Sequence, residues 1–311
     1  MGQTPTPVTR WSAHTGGMVL ALAGATAFSG KAIIVKLSYR YGVDAVTVIM
    51  WRMLMALPFF LAMSWWASRQ THARDNPLTR RDVLAICGLG FLGYYLASFL
   101  DFLGLQTITA SLERLILYLN PTLVMLLSAA IYKHRLQARR VWAMAISYGG
   151  VLVVFAHEVS FSGEGVVTGS AFVLASALSY ALYLMFSGQM VKRVGALRLV
   201  GLASCVACVC CLLQFVILKP LSAALVPMPV LWLALLNATA CTVAPVVLVM
   251  LAIERIGAAL TSQVGMVGPM LTLMLGVLVL GEPLNGWIGL GTVLVLGGVY
   301  LASQTGEKTW T

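Results

Sequence analysis

Long apolar runs broken by short polar interruptions dominate this chain. A helix needs roughly 20 apolar residues, at about 1.5 Å each, to cross a bilayer. On that measure the pattern predicts ten spans: 14–37, 45–67, 83–105, 109–132, 139–156, 166–191, 198–218, 229–252, 258–280 and 285–303. Between them lie only short connectors, and the longest polar one, 68–82, is too short to fold alone. The small-residue stretch at 21–27 resembles a signal-peptide cleavage region, but the apolar run continues past it to Leu37, so it is read as part of a span. The predicted fold class is an all-α integral membrane protein with ten transmembrane helices, flanked by tails at 1–13 and 304–311.

Composition agrees with the pattern. Of 311 residues 60% are hydrophobic and 10% charged, with a mean hydropathy of +0.92. A soluble domain carries about 25% charged residues, so most of this surface is expected to face lipid. The excess of 20 Lys and Arg over 10 Asp and Glu would fit nucleic acid in a soluble chain. Here those cations cluster in alternate connectors. With the N-terminus inside, fourteen fall in cytoplasmic segments (Arg80, Arg81, Arg139 and Arg140 among them) and three, Lys36, Arg40 and Lys219, in external ones. That asymmetry places both termini in the cytoplasm of a bacterial-type cell and argues against a nucleic-acid role.

Compared with itself at a shift of 148 residues, the chain matches without gaps from 105 to 151. Ile108 meets Ile256, Leu112 meets Leu260, Pro121 meets Pro269, and Gly149-Gly150-Val151 meets Gly297-Gly298-Val299. Each unit holds five spans, an odd number, so the second unit enters the membrane from the opposite side. The connector charges agree, because 133–140 is strongly basic while its counterpart, 281–288, is acidic. Inverted repeats suit alternating access around a site between the halves.

This five-plus-five organisation, the prolines in spans four and nine, and "GEPLNGWIGLGTVLVLGGVYL" at 281–301 resemble the EamA family of the drug/metabolite transporter superfamily. The resemblance assigns 14–156 and 166–303 to two inverted five-helix repeats. It implies a secondary transporter exporting small metabolites, including amino acids, without ATP hydrolysis, cofactor or enzymatic activity. Its partners would be a small-molecule solute, the lipid bilayer of the inner membrane and, in a coupled carrier, protons. Where the family often has Gly-Glu after span four as well as span nine, this chain has Lys133-His134, so Glu282 is read as a structural loop residue.

The informative chemistry lies within the spans. Lys31, Arg52, Asp101, Glu113 and Arg114 all fall roughly 6–11 Å inside the external end, given the span limits and 1.5 Å per residue. Two readings stand: ion pairs that close the external side, or a substrate site. Three cations against two acids leave one cation over, which a solute carboxylate could match. Arg114 is expected to meet Asp101, leaving Arg52 or Lys31 for the solute. On span four, Ser111, Arg114, Tyr118 and Pro121 share one face and Glu113 and Asn120 a neighbouring one. Leu112, Ile116, Leu119 and Leu123 form an apolar stripe expected to face lipid. Pro121 and Pro269 are expected to kink their helices near mid-depth and to act as hinges. Tyr180 and Tyr183, three apart on span six, are further candidates for the solute path, with Tyr94, Tyr95, Asn237 and Thr242 weaker ones.

Other chemistries find less support. The six cysteines lie inside apolar runs without the paired spacing of a zinc site, so no metal or disulfide framework is expected. No phosphate-binding G-x-x-x-x-G-K-[ST] motif is present. The histidines fall at span ends or in connectors and form no catalytic set with an acid. A lipid scramblase or other non-transporting multi-pass protein is the alternative reading.

Overall fold

The computed structural model describes residues 7–70, 76–133, 138–162, 164–265, 267–283 and 285–304, and every regular element among them is helical. Residues 1–6 and 305–311 of the expected tails, 71–75 of the longest connector, and His134 lie outside the described residues. Ten helices cross the fold: α1 (Thr15–Tyr39), α2 (Ala45–Ser68), α3 (Arg80–Gly104), α4 (Ala110–Ile131), α5 (Val141–Ser160), α6 (Gly165–Val194), α7 (Ala196–Leu218), α8 (Met228–Ile253), α9 (Gly268–Leu280) and α10 (Gly286–Leu301). Eight are long and apolar enough to span a membrane by length and composition, and α9 and α10 are shorter apolar helices. The end bearing the α1–α2, α3–α4 and α9–α10 connectors is called the far end below. There Asp44 starts α2, accepting hydrogen bonds from the Val46 and Thr47 amides.

The helices pack in a pattern that survives adding five to each helix number. α1 packs on α8 as α6 packs on α3, and α4 on α6 as α9 on α1, while α2–α7, α4–α9 and α5–α10 map onto themselves. This is the signature of two inverted five-helix repeats. The Gly-Gly-Val pairs serve the α5–α10 contact. A Cβ at Gly150 would stand 2.7 Å from the Gly291 carbonyl oxygen, so only a glycine lets the two backbones approach this closely.

Backbone irregularities follow the repeat as well. α3 widens to a π turn at Phe91–Leu96 and the α8 helix at Thr239–Val243, so the two wide turns start 148 residues apart (239 − 91). A third, at Gly276–Leu280, has no partner, since 128–132 is ordinary α-helix. α4 breaks after Leu117 and restarts at Asn120, and the helix preceding α9 ends at Gly265 with α9 starting at Gly268. Pro121 and Pro269 therefore occupy the first turn of a new half-helix rather than a helix interior. Their missing N–H groups remove no helical hydrogen bond there.

One expectation is refined and one corrected. The predicted connector at 253–257 stands as the place where the chain reverses, with helical turns running through it between Ala244 and Gly265. Gly24 lies against Val249 and Gly17 against Ile256, whereas the Ser29 hydroxyl bonds the Gly268 carbonyl. The chain thus doubles back along α1 without an open loop. The leucine stripe of α4 does not face lipid. Leu112, Ile116, Leu119 and Leu123 are buried against Val151 and Val154 of α5, Val173 and Ala177 of α6, and Val295 of α10. An apolar stripe is equally content in lipid and in an apolar protein core, so periodicity could not tell the two apart.

Candidate functional site

Toward the far end, α1, α3 and α4 bring four of the five charged candidates into one buried layer. Lys31 Nζ lies 2.6 Å from Asp101 Oδ2 and 3.8 Å from Glu113 Oε1. Arg114 Nε lies 4.0 Å from Glu113 Oε2. The structure thus pairs Asp101 with Lys31 from α1, not with Arg114 as expected. Arg114 is held by neutral groups instead. Its Nε donates to Thr272 Oγ1 on α9 at 3.1 Å, its terminal nitrogen donates to the Phe28 carbonyl at 3.2 Å, and its guanidinium lies 5.1 Å from the Phe28 ring centroid. Lys31 Nζ lies 5.6 Å from the centroid of the same ring. Cations over an aromatic face gain electrostatically without needing an acid.

Arg52, the fifth candidate, stands apart on α2. It donates to Ser98 Oγ at 3.1 Å and lies 4.6 Å from the Phe102 ring centroid, one residue from Asp101. The side chain is buried, its Nε has no hydrogen-bond partner, and no carboxylate lies within ion-pairing distance among the described residues. Three acidic oxygens are also without hydrogen bonds: Asp101 Oδ1 and both oxygens of Glu113, a residue with 0% exposure. Buried polar atoms are nearly always satisfied in folded proteins. In this part of the fold Arg52 Nε, Asp101 Oδ1 and both Glu113 oxygens are exceptions to that rule.

Below this layer the half-helix breaks meet. The Tyr118 hydroxyl, at the break in α4, donates to the Gly265 carbonyl at the break before α9, at 2.6 Å. Thr272 Oγ1 and Ser29 Oγ each bond the Gly268 carbonyl. Asn120 stands beside the break with a buried, unpartnered Oδ1. The tyrosines of α6 are not part of this assembly. Tyr183 meets Tyr94 hydroxyl to hydroxyl at 3.1 Å and Tyr180 ring to ring at 5.6 Å, in a cluster with Ile86, Leu89 and Leu199. Tyr180 and Tyr183 therefore line a different region from Lys31, Asp101 and Glu113.

A rim of polar residues lies above the layer. An open cavity of about 470 Å³ is lined by Lys36, Tyr39, Arg40, Thr109, Leu280, Gly281, Glu282 and Pro283. Glu282 reaches across from the second repeat to cap α4, accepting from the Ala110 amide at 2.7 Å and from the Ser111 hydroxyl at 2.9 Å. Its negative charge sits at the positive end of that helix, where it is favoured. Lys36 Nζ lies 3.9 Å away and donates to the Ile108 carbonyl, while Arg40 donates to the Leu280 carbonyl. Thr109, the N-cap of α4, bonds Glu158 from α5. Glu282 is a loop residue with a structural bond, as read from sequence, but that reading gave no hint of its target. Lys36 was read only as an external connector cation, and Glu158 and Thr272 were not singled out at all. The first two lie at span ends, where polar residues look like ordinary loop boundary.

The comparisons with known proteins agree with this architecture. The EamA-like transporter family matches residues 15–156 and 167–304, one match per repeat. The uncharacterized transporter YcbK of Bacillus subtilis (strain 168) is 30% identical over 305 residues, covering 94% of this chain and 95% of the relative. A second protein of that organism, the uncharacterized transporter YdfC, is 28% identical over 117 residues, 37% of each chain. A solved structure, titled only as the crystal structure of a protein, superposes with a TM-score of 0.64 at 16% identity. It covers 96% of this chain and 99% of its own, and its likeness shows the fold alone.

Proposed function

The chain belongs to the EamA-like transporter family, and we propose that it exports a small organic solute bearing a carboxylate, such as an amino acid, by alternating access. Membership and the transporter-named relatives point to a carrier rather than an enzyme. One observation supports the carboxylate: Arg52 is buried with an unpartnered Nε and with no carboxylate within ion-pairing distance among the described residues. A buried cation without a counter-ion is costly, so a solute anion that completes the pair binds with that cost relieved. Arginine holds a carboxylate through two parallel, charge-assisted hydrogen bonds. Lys31 is paired with Asp101; Arg52, held by Ser98 and the Phe102 ring much as Arg114 is by Thr272 and Phe28, is the one of the three with a nitrogen left unpartnered.

The test is labelled efflux from vesicles carrying Arg52→Gln. Losing charge-assisted hydrogen bonds worth about 1.5–3 kcal/mol should raise the apparent KM by roughly 10–100-fold at normal protein yield. An unchanged KM for every labelled carboxylate would remove Arg52 from the site. The proposed orientation puts both termini in the cytoplasm and the far end outside. A cysteine introduced near Glu164 should react with an impermeant reagent from outside, and labelling from the cytoplasm alone would reverse the orientation.

The paired breaks at Tyr118–Leu119 and before Gly268 are the proposed hinge, with Pro121 and Pro269 holding each half-helix open at its first turn. Pro121→Ala and Pro269→Ala should slow turnover while membrane insertion stays intact. Wild-type turnover in both variants would make the breaks fixed shape only.

A further inference from the structure

The cleft at the far end carries cations that the Arg52 reading does not use. Lys36 and Arg40 stand one helical turn apart at the end of α1, where the Arg40 amide donates to the Lys36 carbonyl, and both line the open cavity of about 470 Å³. Like charges four residues apart on a helix face repel each other. Each is also lightly engaged. An ammonium carries three N–H donors and a guanidinium five. Among the described residues Lys36 makes one side-chain hydrogen bond, to the Ile108 carbonyl at 2.6 Å, and Arg40 makes one, to the Leu280 carbonyl at 2.7 Å.

Two acids stand close by, and both are spent on the start of α4. Glu282 accepts from the Ala110 and Ser111 amides and from the Ser111 hydroxyl. Glu158 accepts from the Thr109 amide and hydroxyl. Glu282 comes no nearer to Lys36 than 3.9 Å, beyond hydrogen-bond reach. The cleft therefore presents two cations with spare donors to open space and keeps the acids bonded to α4. Such a donor pair suits a carboxylate or another small oxyanion.

We propose that this cleft is a second anion site, separate from Arg52, which takes a small carboxylate or oxyanion from the far-end compartment and favours the open form of that end. The contacts supply the difference in affinity. With the α9–α10 loop in place, Arg40 is tied to Leu280, and an incoming anion meets the Glu282 charge beside Lys36. Any widening that carries the loop away from α1 releases Arg40 and removes that charge together. The anion then binds the open form more tightly, and a ligand shifts a conformational equilibrium by such a difference alone. Glu282 is in this sense a built-in competitor, a carboxylate of the protein's own that one from outside replaces beside Lys36. The site does not require the exported solute to be its ligand, so it stands or falls apart from the Arg52 reading.

The experiment uses the full chain in lipid nanodiscs, with both faces open to buffer, carrying Ile108→Cys at a buried position beside the cleft. The rate of labelling by a water-soluble maleimide, above that of the chain without the added cysteine, is followed against sodium lactate and sodium sulfate. Sodium chloride at equal ionic strength is the control for screening. Lactate should raise the rate saturably by roughly 5–10-fold, the low end of coupling between a ligand and a conformational equilibrium. Arg40 is exposed, so Arg40→Gln should fold normally; it should lose the lactate dependence whatever its basal rate, and Arg40→Lys should keep part of it. Lys36→Gln should lose it too, and Arg52→Gln should keep it whole. Four results overturn the site: no response to lactate or sulfate, an equal response to chloride, a response that survives Arg40→Gln, or one lost in Arg52→Gln but kept in Arg40→Gln. The last assigns the effect to Arg52 instead.

Discussion

The two repeats share a backbone and differ in chemistry. Glu113 and Arg114 correspond, 148 residues on, to Thr261 and Ser262, and Asp101 to Val249. The wide turns, the half-helix breaks and the helix contacts are all duplicated, yet the layer of Lys31, Asp101, Glu113 and Arg114 has no charged counterpart in the second repeat, whose buried Arg198 and Glu282 lie elsewhere. The loop after the last span of each symmetric pair shows the same divergence. Gly281 and Lys133 both adopt the left-handed conformation, with φ of 71° and 54°, so the turn is kept although only one residue suits it. The next residue is Glu282 in the second repeat and His134 in the first. The scaffold is shared, and unequal side chains place the Glu282 contact with α4 and the ion pairs of the buried layer.

The largest effect should come from breaking the Lys31–Asp101 pair. Lys31→Met leaves Asp101 and Glu113 facing each other in a buried layer short of one cation. Removing one partner of a buried ion pair costs about 3–5 kcal/mol, so membrane yield and thermal stability should fall sharply. Adding Asp101→Asn should restore part of both. A stable Lys31→Met protein would mean that the pair does not hold the layer together.

A smaller effect is expected at the Glu282 contact with the start of α4. Glu282→Gln keeps an acceptor for Ala110 but loses the charge that favours the start of α4 and Lys36. About 1–2 kcal/mol of far-end closure should go with it, a shift of roughly tenfold toward the open form. Faster labelling of a cysteine placed at the buried Ile108 position would report the opening. Labelling at the wild-type rate would show that Glu282 caps the helix without clamping the halves.

The smallest change restores symmetry instead of breaking it. Lys133→Gly relieves a left-handed lysine and should raise thermal stability by about 1 kcal/mol. The reverse, Gly281→Lys, should lower it by a similar amount. Equal melting temperatures in all three proteins would mean that the surrounding turn absorbs the strain.

These contrasts also mark what could be read from the chain. Apolar run length, the 148-residue register and the prolines disclosed ten helices, the inversion and the broken pair α4 and α9, because each depends on local composition or on the chain compared with itself. The partner of Asp101 was not legible. It depends on how far α1 stands from α3, and that is set by packing on other helices. The same holds for the leucines of α4, whose burial against α5, α6 and α10 depends on neighbours that sequence spacing does not specify. Glu282 was visible as a residue but not as a bond, since its target lies about 170 positions away, as the 172-residue separation from Ala110 shows.

The paired wide turns carry one more consequence, which concerns ancestry. A π turn holds one residue more than the α-helix needs, and such an extra residue arises most simply as a single-codon insertion. Finding it at Phe91 and again at Thr239, in register, is what a single insertion inherited by both halves would leave. The unmatched bulge at Gly276–Leu280, like the layer of Lys31, Asp101, Glu113 and Arg114, is a feature in which the two halves have diverged.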